Sequence, residues 1–299
     1  MHLVAIVPFL DEEQYLPALL DSIAAQTRPP DQLLLVDDGS SDGSVEVARA
    51  FAREHTYATL LRRPARPAAV DRLASAAELR SFSWALERLG ERWDVVAKLD
   101  ADLRLAAGTL AAMEARFGAD PHLGVAGPRL LSIDAAGKDV SHRTRPEHVE
   151  GAAKFYRRRC LEQIGPLPPI LGWDTIDEVR ARMRGWHTAG GLPDEPPVVH
   201  LRPMGAHDGA VRAFRRWGAC AYGYGEHPLY ALLIGLRRLP ERPVVVGGLA
   251  YVAGWMLAAV RRAPRAEPEL RAHVRRAQLE RLLRKASGRS SRRGASTSG

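Results

Sequence analysis

The chain has 299 residues, 46% hydrophobic and 26% charged, which excludes a disordered or fibrous protein and suits one large α/β domain with an appendage or two smaller domains. Its two cysteines, Cys160 and Cys220, exclude a disulfide framework and lack metal-site spacing, so a reducing, cytoplasmic compartment is expected. The formal net charge of +8 is uneven: residues 200–299 hold 19 Lys and Arg against 6 Asp and Glu, and residues 1–199 hold 24 against 29.

In chain order, Leu3–Val7 reads as a first buried strand. It is too short for a secretory leader, has no basic flank and runs into Asp11-Glu12-Glu13. Residues 12–25 have helical spacing through Leu16, Leu19, Leu20 and Ile23. Residues 32–36 form a second strand, ending in Asp37-Asp38-Gly39-Ser40. A helix is predicted over 45–55, a weaker strand over 59–61, a helix over 71–89 and a strand over 94–99. This β-α-β-α-β-α-β order predicts an α/β fold with a parallel, doubly wound sheet. Further on, 108–117 reads as helix, 123–126 and 127–133 as extended, and 132–150 as a polar loop or hairpin. A strand over 152–157, a short helix over 159–164, the segment Trp173-Asp174-Thr175-Ile176-Asp177-Glu178 with a helix then running to about Gly185, and a last strand over 198–201 complete this part.

From Gly209 the composition changes. Residues 244–260 carry no charge and are bracketed by Arg242 and Arg261-Arg262, at the short limit for a membrane span. Residues 268–285 predict a basic amphipathic helix, and 289–299 a polar, disordered tail. Arginine-flanked apolar helices suit an anionic membrane surface, while an ordinary buried helical pair is the alternative. No nucleic-acid motif accompanies the basic charge, so no nucleic-acid partner is expected.

Asp100-Ala101-Asp102 closes the apolar run 95–99. Two carboxylates two residues apart at a strand end project to one side and suit a divalent cation. Asp37-Asp38 is a second acidic strand end, and two such ends suggest one site at the carboxyl edge of a parallel sheet.

Val4-Ala5-Ile6-Val7-Pro8, Asp11-Glu12, Asp37-Asp38-Gly39-Ser40 and Asp100-Ala101-Asp102 together resemble family 2 glycosyltransferases of the GT-A fold, over roughly residues 3–202. Asp11 stands where that family usually has Asn. The resemblance implies a Rossmann-like catalytic domain over 1–205; the composition beyond it predicts a helical, membrane-associating extension over 206–286 and a disordered basic tail over 287–299. It implies that Pro8, Asp11, Glu12, Asp37, Asp38, Asp100 and Arg202 bind the nucleotide sugar. It assigns Asp100, Asp102 and His200 to a Mg²⁺ or Mn²⁺ ion, and Lys154, Tyr156 and Trp173 to the acceptor side. Asp174 aligns with the general base when counted back from Gly185-Trp186, and Asp177 is the other candidate.

The implied reaction is inverting transfer of a sugar, with a UDP-sugar as the expected donor and a saccharide or lipid-linked saccharide as acceptor. The expected location is cytoplasmic, at the periphery of the membrane. A sugar-phosphate nucleotidyltransferase is the rival, but such enzymes carry a glycine-rich basic loop after the first strand. Here that loop is Phe9-Leu10-Asp11-Glu12-Glu13, of the wrong charge for a triphosphate.

Overall fold

The computed structural model describes residues 1–64, 76–133, 145–202, 209–241 and 243–294, with backbone alone from residue 284. The chain divides into two units, Met1–Pro169 with Trp173–Ala206, and Ile170–Gly172 with His207–Gly299.

The strands of the first unit are β1 (Leu3–Phe9), β2 (Gln32–Asp37), β3 (Ala58–Arg62), β4 (Val95–Leu99), β5 (Leu103–Arg104), β6 (Leu123–Ala126), β7 (Leu130–Ser132), β8 (Ala153–Arg157), β9 (His187–Ala189) and β10 (Val198–His200). Seven of them form one sheet in the order β3-β2-β1-β4-β8-β6-β9, and β5-β10-β7 form a small second sheet. β1 pairs in parallel with both β2 and β4, β2 with β3, and β6 with β9. β8 runs antiparallel between β4 and β6. Mixed α/β architecture with a mostly parallel sheet is therefore as the sequence predicts. Chain order reverses between β1 and β4, so their carboxyl ends open the crevice where such sheets bind ligands.

The helices are α1 (Leu16–Ala24), α2 (Ser44–Glu54), α3 (Ala77–Leu86), α4 (Thr109–Ala119), α5 (Arg158–Ile164) and α6 (Trp173–Met183). Alternate strand residues face opposite layers. Leu3, Ala5 and Val7 join α1, α2 and α4 in one core; Val4 and Ile6 join α3, α5 and α6 in the other. Burial on both faces explains why β1, β2 and β4 are unbroken apolar runs.

Two boundaries differ from expectation for local reasons. The first helix begins at Leu16 and not at residue 12, because Asp11 has φ +53° and the Glu12 amide is taken by Ser44 Oγ at 2.7 Å. The third spans Ala77–Leu86, and residues 71–75 of the predicted helix lie outside the described residues, as do 134–144 of the predicted loop.

The second unit contains α7 (Gly209–Tyr224), α8 (Pro228–Arg237), α9 (Val246–Val260) and α10 (Pro268–Gly294). α7 and α9 meet through glycine: a Cβ on Gly218 would lie 1.9 Å from the Tyr251 carbonyl oxygen, and one on Gly254 1.9 Å from that of Arg215. Buried Glu226 accepts a 2.7 Å hydrogen bond from Tyr251 Oη. α10 is helical to Gly294, so the backbone stays regular well into the 287–299 stretch expected to be disordered. Among the described residues no helix is long and apolar enough to cross a membrane.

Candidate active site

The loop after β1 is stitched to the loop after β2. Asp11 Oδ1 accepts from the Ser41 amide at 2.8 Å, and Glu13 Oε2 from the Gly43 amide at 3.0 Å. Asp37 is buried and closes its own turn, accepting from the Gly39 and Ser40 amides at 3.2 and 2.8 Å and pairing with Arg62 at 3.2 Å. Gly39, at φ +101°, allows that turn. Asp38 pairs with Arg63 at 2.5 Å, and Arg63 also donates to Ser81 Oγ at 2.8 Å. Pro8 is buried in β1 opposite Val36, a strand residue and not a side chain offered to a ligand.

The centre of the site is built by β10. It pairs antiparallel with β5, His200 opposite Leu103, and the Leu201 amide donates to the Asp102 carbonyl at 2.8 Å. This lays His200 and Arg202 beside the end of β4. His200 Nε2 lies 3.1 Å from Asp102 Oδ1, and Arg202 Nε donates to Asp102 Oδ2 at 2.9 Å. Arg202 Nη2 reaches both oxygens of Glu12 at 2.5 Å, and the guanidinium sits 4.8 Å from the Tyr15 ring centroid. Residues from positions 12, 102, 200 and 202 thus converge on one crevice.

The charges there are strongly perturbed. Burial works against the Asp102 carboxylate, but His200 and Arg202 outweigh it and hold the group down at about 2. Burial pushes Glu12 up to about 7, with Asp102 and Asp100 reinforcing the shift and Arg202 opposing it. Asp100 is also pushed up by burial, to about 6, although Lys98 opposes the shift. Burial disfavours the His200 cation, yet Asp102 raises its pKa above the usual value.

The acceptor side differs from expectation. Lys154 and Tyr156, on β8, are wholly buried and spend their polar atoms on Asp177. Lys154 Nζ donates to both Asp177 oxygens at 2.8 and 2.9 Å, and Tyr156 Oη donates to Oδ2 at 2.5 Å. Neither side chain can face an acceptor. Asp177, equally buried, cannot take a proton from one and is a structural partner. Trp173 is buried too, its ring 5.3 Å from Lys98 Nζ and 5.5 Å from Lys154 Nζ.

These two lysines are residues the sequence reading passed over or misplaced. Lys98 and Lys154 stand opposite one another in the β4–β8 register. Lys98 donates to Asp100 and, at 2.9 Å, to the Gly151 carbonyl; Lys154 donates to the Asp174 carbonyl at the start of α6. They tie the acidic end of β4 to the amino end of α6. A Cβ on Gly151 would meet Asp174 Oδ2 at 3.1 Å, so glycine lets Asp174 approach the turn whose next residue, Ala152, accepts from the Asp100 amide at 2.8 Å. The Asp174 carboxylate takes no hydrogen bond or ion pair among the described residues and is half-buried. Glu150, unflagged by any motif, is a carboxylate within electrostatic reach of His148, His200 and Asp174.

Among the described residues no three His, Cys, Asp or Glu side chains stand together as a metal site. Asp100 is turned to Lys98, so the predicted three-ligand set is reduced to Asp102 and His200. A carboxylate with an imidazole still fits a Mn²⁺ or Mg²⁺ ion whose other ligands are diphosphate oxygens and water.

The family model described as glycosyl transferase family 2 matches residues 4–170. A PGL/p-HBAD biosynthesis glycosyltransferase of Mycobacterium bovis is 35% identical over 81 residues, which is 27% of this chain and 32% of that protein, so the match spans about a third of the relative's length. Among solved structures, mannosyltransferase PcManGT from Pyrobaculum calidifontis, in complex with GDP-Man and Mn²⁺, superposes with a TM-score of 0.56 at 19% identity, covering 96% of this chain and 79% of that one. GalNAc-T7 with UDP, GalNAc and Mn²⁺ gives 0.55 at 14% identity, covering 88% and 55%. At these identities the likeness is one of fold, the GT-A arrangement.

Proposed function

The chain belongs to glycosyl transferase family 2, and from that premise we propose that it moves a sugar from a nucleoside diphosphate donor to an acceptor hydroxyl, with inversion at the anomeric carbon. The observation that carries the reading is the convergence of Asp102, His200, Arg202 and Glu12 where β1 and β4 diverge. Donors of this class are held by the solved neighbours, GDP-Man by PcManGT and UDP-GlcNAc by TarS of S. aureus. In our reading the acceptor is a saccharide or a lipid-linked saccharide.

Asp38, just past the end of β2 and held there by buried Arg63, can hydrogen-bond base or ribose. Arg202 is held between two carboxylates, Asp102 and Glu12, which places a fixed cation beside the position this reading gives the diphosphate. Asp102 and His200 would hold a divalent cation, which when bound neutralises charge on the departing diphosphate. Asp174, at the amino end of α6, accepts the acceptor's hydroxyl proton. The acceptor oxygen then bonds to the anomeric carbon from the face opposite the diphosphate. The bond from that carbon to the phosphate oxygen breaks, and its electron pair leaves with the nucleoside diphosphate.

The test is acceptor-dependent release of nucleoside diphosphate from a panel of UDP- and GDP-sugars with Mn²⁺. Asp174→Asn should lower kcat by roughly 10²–10⁴ while leaving donor affinity in place. Full turnover by Asp174→Asn contradicts the base assignment. Pyrophosphate release from a nucleoside triphosphate and a sugar phosphate contradicts the reaction class.

A further inference from the structure

Helices α8 and α9 are inside out for water. They pack antiparallel through their smallest residues: a Cβ on Gly235 would meet Val252 and the Gly248 carbonyl, and one on Gly248 would meet Leu239. Ala231 on α8 and Ala250, Gly254 and Ala258 on α9 are likewise buried. The large apolar residues point the other way. On α8, Leu229, Leu232, Leu233 and Leu236 are 38–53% exposed. Their i, i+3, i+4, i+7 spacing puts them on one stripe. On α9, Val246, Leu249, Met256 and Val260 are 47–81% exposed and also follow one side of the helix. A soluble helix pair turns such stripes inward, and rows of exposed apolar side chains on adjoining helices mark an interaction surface.

We propose that this α8–α9 face docks on a lipid surface carrying anionic headgroups. The charge pattern selects that occupant. No acidic residue lies between Glu226 and Glu241, nor between Glu241 and Glu267, whereas Arg237, Arg261, Arg262 and Arg265 fall in those intervals. Exposed Arg237 ends α8 beside the turn, and exposed Arg261 and Arg262 follow the far end of α9. Cations at both ends of an antiparallel hairpin suit a pair lying flat, leucines in the acyl boundary and guanidiniums among phosphates. Glu241, in the turn between α8 and α9, is already paired with Arg238 at 3.1 Å, so a second copy of the chain would bring the same arginines with little acid to meet them. Spanning is not the mode, because no described helix is long and apolar enough to cross. The inference is independent of the donor chemistry.

The experiment is co-sedimentation of the full chain with vesicles of phosphatidylcholine alone and with vesicles in which part of it is replaced by phosphatidylglycerol. The wild-type chain should sediment with the anionic vesicles. The quadruple variant Leu232→Ser, Leu236→Ser, Leu249→Ser, Met256→Ser should lose at least about tenfold in partitioning. Its melting temperature should be kept, since those side chains are already exposed. Arg261→Glu with Arg262→Glu gives a second route to the same loss, and it decides the matter if the serine variant misfolds. Nucleoside diphosphate binding should be unchanged in both. Wild-type chain left in the supernatant with anionic vesicles overturns the proposal. So does serine-variant binding equal to wild type, or a lipid-free dimer that the serine substitutions dissolve while vesicle binding is absent.

Discussion

At the scale of single residues, Glu12 shows how the site is charged. Its carboxylate meets one guanidinium, but burial and the nearby Asp102 and Asp100 raise its pKa to about 7. A raised acid binds more protons folded than unfolded, so the fold loses stability as pH rises from about 4.5 to about 7. The ligand-free chain should therefore melt at a lower temperature at pH 8 than at pH 5.5 by the contribution of this group. Glu12→Gln should flatten that slope, worth roughly 1–3 kcal/mol. An unchanged slope in thermal melts of the variant would show that Glu12 is ionised throughout. Asp102, His200 and Arg202 were legible in the sequence because chemistry-bearing types sit at strand ends. Lys98 and Lys154 were not, since a lysine inside or beside an apolar run says nothing of its partner across the sheet. Asp174 and Asp177 are alike as letters, and burial alone separates them.

At the scale of elements, α6 and β10 do the positioning. One turn of α6 leaves Asp174 half-buried beside Gly151 and drives Asp177 into the core against Lys154 and Tyr156. Removing one member of such a pair strands a buried charge. Asp177→Ala should cost roughly 3–5 kcal/mol of stability in denaturant unfolding. Asp174→Asn should cost no more than about 1 kcal/mol, the helix-end effect of a first-turn acid. Equal losses in the two variants would contradict the division of roles along this helix. The apolar runs of β1, β2 and β4 announced themselves because both faces of each strand are buried. β5 and β9, at two and three residues, are too short to leave a periodic signal. α8 has a clear leucine period, but the period alone does not say which face turns inward. Here close packing on glycine and alanine turns the leucines out.

At the scale of the molecule, the charge asymmetry follows the two units: the acidic excess lies with the crevice of the first, the basic excess with the helices of the second. The ordered series of motifs made the family legible, since each acidic strand end is common alone and their order along a β-α chain is not. The α/β class followed from the same alternation. The burial of Lys154, Tyr156, Trp173 and Asp177 was not legible, because it depends on how β8 and α6 pack and not on spacing. In the function proposed, the crevice joining Glu12, Asp102, His200 and Arg202 grips a nucleoside diphosphate. Isothermal titration of UDP and GDP into the full chain with Mn²⁺, repeated on Arg202→Ala and Asp102→Ala, tests it most directly. Saturable binding of at least one nucleotide to wild type is expected, with a loss of about tenfold or more in each variant, the worth of a lost charge-assisted contact. Binding of neither nucleotide to wild type, or equal binding in all three proteins, would contradict it.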